Sequence, residues 1–564
     1  MQSARLPRTL CDTLDTRIRR FLWGGSSSQR KPHLVSWKVV SGEIAQGGLG
    51  IRSMRQLNSA YLMKLGWRLQ TEPDTIWARL IQEKYIRGRD LFNLEKLSGS
   101  GSNAWRGIKE MLPVTHKGMG MAIGDGRYTK FWLHRWLDGK VLSEHTLQTL
   151  PEDHLSKKVC DYWLSQDGWD WAQLAPLLPD AILQRIMSFV LDTDEVGDQL
   201  VWITGKSGRF NIASAIKMLQ PTEISAGGDW TWVWKLCLPQ RFRMFLWLLL
   251  HGRILTNAER FRRHMAPSSS CSLCPAVVED LAHVFCGCPQ ARDVWRVLNE
   301  RMDQAPDGDQ EFHQWLLQRL QVVRAQSEGL VKFVTTLWYI WKWRCTSCFD
   351  ETADRPSDKR SFLVHQCKEI TRALQRDQEG SCAGRSSGRE RWVQWEYPAV
   401  GWMVLNTDGA AKGNPGPAGA GGVIRADKGE WIRGFSEYLG SCTSVRAELR
   451  AVLRGLTMAK DMRVQRLWVQ MDSQVVVNML TRQAEWPPEH KFILLRCKKL
   501  LDWDGWEVRL SHCFREANQV ADILARLGTS LGFGVTCYSN PPREVRDALH
   551  ADRVGVSWPR FVKS

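Results

Sequence analysis

Residues 405–425 read LNTDGAAKGNPGPAGAGGVIR, and this stretch decides the fold. An apolar run that alternates as a strand ends at Asp408, and small residues then follow as far as Gly422. Residues 419–426 and 430–439 read as two more strands joined by a short turn. The stretch therefore predicts a three-stranded antiparallel meander, in which the small residues leave room for a ligand over the end of the first strand.

Four carboxylates follow in order along this block, at strand ends and near helix starts. Apolar spacing predicts the element order β-β-β-α-β-α-α-β-α. A single acidic residue in such a place is more often a helix cap or a turn former than a catalyst. Four that converge at one sheet edge repel one another strongly without a cation, and hard oxygen ligands suit Mg²⁺ or Mn²⁺. Two such ions about 4 Å apart support phosphodiester hydrolysis. The four are Asp408, Glu448, Asp472 and Asp522.

This block resembles the type 1 ribonuclease H domain in the version carried by plant non-LTR retrotransposons. The motifs that carry the resemblance are NTDGAAKGNPGPAGAGGVIR, AELRAV, VQMDSQ and HCFREANQVADILAR, and together they span nearly all of residues 395–530. The resemblance implies a C-terminal α/β fold with a five-stranded mixed sheet and flanking helices. It also assigns the catalytic acids to the four carboxylates above and the catalytic-loop histidine to His512, ten residues before the last acid.

The resemblance further implies a role for each residue. Asp408 bridges two Mg²⁺ (or Mn²⁺) ions, and Asp522 helps to bind the ion that activates the attacking water. Glu448 and Asp472 hold the ion that stabilises the leaving 3′ oxygen, and His512 assists proton transfer or product release. The residues expected to contact substrate are Ser444, which stands where some family members have Asn, Gln474 and Asn518.

The function that follows is endonucleolytic cleavage of the RNA strand of an RNA/DNA hybrid, which proteins distinguish from DNA through the 2′-hydroxyl. A basic insertion that binds substrate in some cellular relatives is not evident between residues 482 and 506. The alternative hypothesis is a catalytically silent nucleic-acid-binding protein.

Residues 271–288 read CSLCPAVVEDLAHVFCGC and predict a zinc site. Cys271 and Cys274 form a C-x₂-C pair, and His283 and Cys288 follow as H-x₄-C. Three thiolates and one imidazole are a normal tetrahedral shell for structural zinc. Cys286 is the competing fourth ligand. The simpler alternative is a group of buried free thiols beside a core histidine.

Around this motif, residues 205–296 resemble the zinc-binding region that follows the reverse transcriptase in plant non-LTR elements. The acidic residue that the family places before the histidine is either Glu279 or Asp280. Several arginines flank the site and would either contact phosphates or form a solvated helix face. These are Arg241, Arg243, Arg253, Arg260, Arg262 and Arg263.

The front of the chain resembles the segment that follows a polymerase core in such elements. No YxDD-like aspartate pair occurs in the sequence. We therefore expect a retrotransposon-derived chain that lacks the polymerase palm and does not polymerise DNA. The predicted segments are 1–140, a remnant of the post-polymerase region; 141–228, an uncertain α+β segment; 229–300, the zinc-binding region; 301–394, a helical connector and linker; 395–530, the ribonuclease H-like domain; and 531–564, an irregular tail. The region before residue 395 is predicted to be mainly helical.

Composition agrees with a nucleic-acid partner. Lys and Arg number 77 against 60 Asp and Glu, and the resulting charge of +17 favours polyanions. The apolar runs are shorter than the roughly 20 residues that a membrane helix needs, and no secretory signal stands out. We expect a soluble intracellular protein with no membrane partner, for which a nuclear setting fits. Its 15 cysteines should then be reduced thiols or metal ligands.

Overall fold

The computed structural model describes twelve stretches of the chain: residues 4–24, 31–87, 101–164, 168–191, 197–205, 207–220, 229–298, 306–349, 356–381, 389–481, 486–532 and 534–562. Of the predicted linker around residues 379–391, residues 382–388 lie outside these stretches.

The helices, in chain order, are α1 (Arg8–Leu22), α2 (Trp37–Val40), α3 (Met54–Thr71), α4 (Ile76–Ile81), α5 (Asn103–Lys117), α6 (Glu152–Ser156), α7 (Trp171–Leu174), α8 (Asp180–Met187), α9 (Ile212–Met218), α10 (Thr231–Lys235), α11 (Gln240–Leu250), α12 (Asn257–Arg262), α13 (Pro289–Val297), α14 (Gly308–Val323), α15 (Ser327–Phe349), α16 (Lys359–Ser381), α17 (Ser444–Asp461), α18 (Gln474–Thr481), α19 (Lys491–Leu501), α20 (Gln519–Gly528) and α21 (Arg546–Val554). The strands are β1 (Met119–Ala122), β2 (Arg135–Leu137), β3 (Lys140–Val141), β4 (Trp163–Leu164), β5 (Gly168–Trp169), β6 (Gln199–Trp202), β7 (Arg389–Val393), β8 (Met403–Ala411), β9 (Gly416–Arg425), β10 (Trp431–Cys442), β11 (Arg466–Met471), β12 (Glu507–His512), β13 (Gly534–Tyr538) and β14 (Trp558–Val562).

The chain forms two compact units. The first contains residues 1–5, 59–219 and 386–564, and the second contains residues 6–58 and 220–385. The bounds of these units do not coincide with those of the predicted segments. The division into those segments stays a prediction.

The main sheet of the first unit has the strand order β12-β11-β8-β9-β10-β13. β8, β9 and β10 form the predicted antiparallel meander, and β11 runs parallel to both β8 and β12. The α/β class and the element order of the C-terminal block are confirmed. The expectation of five strands is wrong, because β13 adds a sixth strand along β10.

The predicted irregular tail, residues 531–564, is also wrong. It contributes β13, α21 and β14, and β14 pairs antiparallel with β7. In α21, Asp552 accepts a hydrogen bond from the Arg425 guanidinium, with 2.7 Å between Oδ2 and Nη1. The two strands of the tail pair with strands more than 90 residues earlier in the chain, and such pairing is not visible in the local sequence.

A single carboxylate organises the upstream part of this unit. Asp198 precedes β6 and accepts hydrogen bonds from the backbone N–H groups of Gly124, Gly126, Tyr128 and Thr129. The Thr129 hydroxyl donates to it as well. These bonds fix the turn that follows β1, and β1 itself pairs antiparallel with β6.

The second unit is helical, as predicted for the upstream region, and its core lies around α11, α13 and α15. The Trp247 indole in α11 donates to the Gly47 carbonyl oxygen at 2.8 Å, and the backbone N–H of Trp230 donates to the Ala45 carbonyl oxygen. These contacts place residues 6–58 with the zinc-binding region. No helix in the described stretches has the length and apolarity needed to cross a bilayer.

Candidate functional site

The small residues of the opening stretch let two helices lie directly on the sheet. A Cβ atom at Gly409 would lie 2.2 Å from the backbone nitrogen of Glu448 in α17. A Cβ atom at Gly421 would lie 2.2 Å from the backbone nitrogen of Ala525 in α20. The expectation that small residues leave room over the end of the first strand agrees with the cavity there, which Gly409, Ala410 and Ala411 line. It was incomplete, because Gly409 and Gly421 also make room for helix backbones, which brings the helix carboxylates to the sheet.

Three of the four predicted acids meet at one point. Asp408 lies on β8, Glu448 lies in the second turn of α17, and Asp472 directly follows β11. One ligand oxygen from each lies within 4.8 Å of the others. They line a cavity of about 400 Å³ together with Ser444 and Asp522. The predicted convergence of the acidic residues at one sheet edge therefore takes the form of three clustered carboxylates, with the fourth lining the same cavity.

Asp522 lies on the wall of the same cavity but is held by two arginines. Its Oδ1 accepts from Arg515 at 2.9 Å, and its Oδ2 accepts from Arg526, one helical turn further on. Both arginines are more than half exposed, so each pair contributes about 0–1 kcal/mol. The i,i+4 spacing of Asp522 and Arg526 was the available sequence signal for this contact.

The three clustered carboxylates destabilise one another as anions. Burial, together with the nearby charges of Asp472 and Asp522, raises the pKa of Asp408 to about 7. Burial and the Asp408 charge raise the pKa of Glu448 well above its ordinary value, and burial raises the pKa of Asp472. A bound cation would relieve both the desolvation and the repulsion.

The oxygen atoms of the cluster fit a divalent metal ion. Glu448 Oε2 and Asp472 Oδ1 are buried and have no hydrogen-bond partner. Buried acceptors without partners are rare in folded proteins, and a bound ion would satisfy these two. Carboxylate oxygens are the preferred donors for Mg²⁺ and Mn²⁺.

The other predicted residues take different positions. His512 ends β12, and its Nε2 lies 3.2 Å from the Asp472 carbonyl oxygen. Gln474 begins α18, and its amide lies 3.4 Å from Asn478 Oδ1. Asn518 is 1 % exposed and donates from Nδ2 to the Thr407 carbonyl oxygen on β8, beneath the cluster. Of the three predicted substrate contacts, Ser444 alone lines the described cavity.

The predicted zinc ligands also converge. Single donor atoms of Cys271, Cys274, His283 and Cys288 all lie within 4.8 Å of one another. Cys286 is fully buried in the apolar core and is not part of this group. Burial raises the pKa of the Cys271 thiol to about 12 and also raises the pKa of the Cys288 thiol, so the thiols are protonated unless a cation binds.

A buried ion pair that the sequence did not reveal supports this cluster. Of the two candidate acids before the histidine, Glu279 is the buried one, and it pairs with Arg344 of α15. Glu279 also accepts from the backbone N–H of Asn257, whose own side chain accepts from Arg344 at 2.9 Å. The network ties the cysteine loop to α12 and α15. It was missed because Arg344 lies 65 residues after Glu279.

Most of the flanking arginines already bind protein groups. Arg243 donates to the carbonyl oxygens of Trp234 and Leu238. Arg253, Arg262 and Arg263 form ion pairs with Glu259, and Arg260 donates to Asn257. Their contacts stabilise the cysteine-loop region, so the expectation of phosphate contacts gains no support here.

The fold and the carboxylate cluster together define the class of the C-terminal block as ribonuclease H-like. Residues 406–528 match the family model described as reverse transcriptase-like, and residues 210–295 match the one described as zinc-binding in reverse transcriptase. A protein of Arabidopsis thaliana, provisionally named a ribonuclease H protein, is 35 % identical over 575 residues, covering 100 % of this chain and 92 % of the relative. The chain belongs to the family of plant non-LTR retrotransposon-derived proteins that carry a reverse-transcriptase zinc-binding domain and a type 1 ribonuclease H-like domain.

More distant relatives match the C-terminal block. Ribonuclease HI of Halobacterium salinarum is 33 % identical over 122 residues, which cover 21 % of this chain and 59 % of that protein. The crystal structure of RNase H1 from the same archaeon is 28 % identical, covers 23 % of this chain and 98 % of its own, and has a TM-score of 0.21.

Proposed function

We propose that this chain is a metal-dependent ribonuclease that cleaves the RNA strand of RNA/DNA hybrids. The observation that carries the proposal is the meeting of three carboxylates within 4.8 Å, with two buried oxygens that have no partner. The substrate class is taken from the ribonuclease H names of the relatives.

Each residue of the site has a proposed part. Asp408, Glu448 and Asp472 hold divalent ions, and Asp522 joins them when it leaves its arginine partners. When bound, such ions activate water and stabilise the charge that develops on the leaving oxygen. A carbonyl oxygen only accepts, so His512 Nε2 carries hydrogen in its contact with Asp472. His512 Nδ1 is then the ring atom that exchanges a proton with substrate or water.

The Ser444 hydroxyl lines the carboxylate cavity, and we assign it a contact with the substrate strand. Asn518 instead positions β8, because its buried amide donates to the carbonyl oxygen of the residue before Asp408. Gln474 stays a predicted substrate contact at the start of α18.

The arginine contacts of Asp522 favour a second candidate, a nucleic-acid-binding protein without nuclease activity. An acid that is neutralised in this way would be a poor metal ligand. The weakness of exposed ion pairs argues against this reading, since a divalent ion can displace contacts worth about 1 kcal/mol.

Cleavage of a strand-labelled RNA/DNA hybrid by the full chain, with Mg²⁺ or Mn²⁺, tests the proposal. Asp408→Asn should reduce cleavage by about a thousandfold or more, because a ligand to the ions is lost. Asp461→Asn, at the exposed end of α17, is the matched control and should cut like the parent. If the folded parent chain cuts neither with Mg²⁺ nor with Mn²⁺, the second candidate replaces the first.

We also propose that Cys271, Cys274, His283 and Cys288 hold one structural zinc ion. Their donor set matches a closed Cys₃His shell, and burial raises the pKa of the Cys271 and Cys288 thiols, which a bound cation would offset.

A further inference from the structure

Strand β14 lies beside the histidine loop, residues 512–518, which begins where β12 ends at His512. Arg560 of β14 makes two contacts with this loop. Its Nη1 donates to Glu516 Oε2 at 2.6 Å. Its guanidinium carbon lies 4.6 Å from the centre of the Phe514 ring. One side chain of the tail therefore contacts the histidine loop through both an ion pair and a cation–π interaction.

The Phe514 ring connects Arg560 to His512. The ring centres of Phe514 and His512 lie 5.5 Å apart, and the two planes meet at 88°, which is an edge-to-face arrangement. The Nε2 atom of His512 also lies 3.2 Å from the Asp472 carbonyl oxygen. The imidazole is therefore held by one hydrogen bond and by one aromatic ring, and Arg560 contacts that ring in turn.

The two ends of the histidine loop are attached to the main sheet by other contacts. The backbone N–H of Cys513 donates to the Met471 carbonyl oxygen at 2.9 Å. At the other end, Asn518 Nδ2 donates to the Thr407 carbonyl oxygen at 3.0 Å. Arg560 contacts the part of the loop that lies between these two attachments.

The strand that carries this arginine is itself fixed to the main sheet. β14 pairs antiparallel with β7, and Ser557 Oγ donates to Gln394 Oε1 at 2.9 Å. The next residue, Trp395, is 2 % exposed, and its indole donates to Asn406 Oδ1 on β8. Asn406 precedes Asp408 by two residues. The tail is therefore tied to the strand that carries the first acid of the cluster.

The contacts of Arg560 are too exposed to govern the stability of the whole unit. The side chains of Arg560 and Glu516 are 35 % and 31 % exposed, and exposed pairs contribute little to the free energy of unfolding. The same contacts are sufficient to favour one conformation of a short loop. A tenfold change in the population of a loop conformation corresponds to only about 1.4 kcal/mol.

We propose that Arg560 is a positioning residue for the nuclease reaction, because it holds the histidine loop so that His512 keeps its place beside Asp472. The imidazole then presents Nδ1 for proton exchange in a fixed orientation. Arg560 acts through the loop and is not among the residues that line the carboxylate cavity. The proposal rests on the proposed function for the role of His512, whereas the order of the loop can be measured without cleavage.

The kinetic test compares cleavage of an RNA/DNA hybrid by the full chain and by Arg560→Gln. The kcat should fall about fivefold while KM stays within about twofold, because positioning affects the reaction and not the binding of substrate. Arg560→Lys should recover part of kcat, since it keeps a positive charge beside Glu516. Arg546→Gln, at an exposed position of α21 in the same tail, is the matched control and should cleave like the parent.

A double-mutant cycle with His512→Ala separates positioning from general structural support. His512→Ala alone should lower kcat about a hundredfold or more, the usual contribution of general acid–base catalysis. With His512 absent, adding Arg560→Gln should lower kcat no further. The same additional fall in both backgrounds would overturn the proposal, because Arg560 would then act independently of His512. A raised KM with an unchanged kcat would also overturn it, since Arg560 would then bind substrate.

Hydrogen exchange measures the histidine loop without cleavage. Amides in peptides that cover residues 512–518 should exchange about tenfold faster in Arg560→Gln than in the parent, while peptides from β8 keep their protection. Unchanged exchange in the loop would overturn the proposal, as would an equal loss of protection in β8. If the parent does not cleave, the proposed function fails, and this measurement still decides whether Arg560 holds the loop.

Discussion

The ion pair between Arg425 and Asp552 gives the sharpest stability prediction. The Arg425 side chain is fully buried, the Asp552 side chain is 6 % exposed, and 2.7 Å separates Nη1 from Oδ2. Arg425 also donates to Asn406 Oδ1 on β8 and lies 3.9 Å from the Trp395 ring centre. Asp552→Ala would leave the guanidinium buried beside neutral groups, and removing one partner of a buried pair costs about 3–5 kcal/mol.

Hydrogen exchange is the suitable assay, because a chain with two compact units does not report one unfolding equilibrium. Amide protection in peptides from β9 and α21 should fall by a factor of roughly 150 to 5000, which corresponds to about 3–5 kcal/mol. Peptides from α15, in the other unit, serve as the internal reference.

Asp547→Ala is the matched control, since Asp547 lies exposed on the same helix. In this variant the free energy of opening derived from hydrogen exchange should stay within about 0.5 kcal/mol of that of the parent. If amide protection in the β9 peptides is the same in Asp552→Ala as in Asp547→Ala, the ion pair does not hold the tail on the sheet and the reasoning is wrong.

Three further predictions follow from the two metal-ligand clusters and from helix packing. Burial raises the folded-state pKa of Asp408 to about 7, above an unfolded value of about 4, so metal-free stability should fall as pH rises between these values. Mg²⁺ should therefore raise the Tm more at about pH 8 than at about pH 5, and Asp408→Asn should reduce that difference, because Glu448 and Asp472 still have raised pKa values. Equal Mg²⁺ effects at both pH values would contradict this. Cys288→Ala should lose zinc, measured by metal analysis of the purified chain, whereas Cys286→Ala should keep it; the opposite pattern would exchange their roles. Gly421→Ala should destabilise the fold by about 3 kcal/mol or more in denaturant unfolding, because the new Cβ meets the α20 backbone, while Gly532→Ala, with open space around it, should change little; similar values for the two would disprove the close packing.

Local patterns were sufficient for the part of the site that depends on chain order. The strand ending at Asp408, the helix with Glu448 and the strand before Asp472 each carry apolar periodicity, and a sheet with this order brings their ends to one edge. The proposed zinc ligands were equally visible, because four donors within 18 residues form a spacing pattern. Only the choice between Cys286 and Cys288 needed the packing of the core.

The features that were missed depend on partners far away in the chain. Arg344 meets Glu279 across 65 residues, and Asp552 meets Arg425 across 127. A charged residue reads as solvated in sequence until its burial is known. The role of Gly421 was misread for a similar reason, since a glycine that admits a ligand and one that admits a helix look alike in sequence.

The discontinuous path of the chain has a consequence for its synthesis. The first unit is complete only when residues 386–564 join residues 59–219, and residues 220–385 of the second unit are made in between. At about 5–20 residues per second, the 345 residues after Leu219 take roughly 20 to 70 seconds to emerge. During that interval Ala122 and Val201 lack Phe492, against which they pack in the folded unit. Nascent chains of this protein should therefore expose this apolar face, and recruit chaperones, until residues 386–564 have been made.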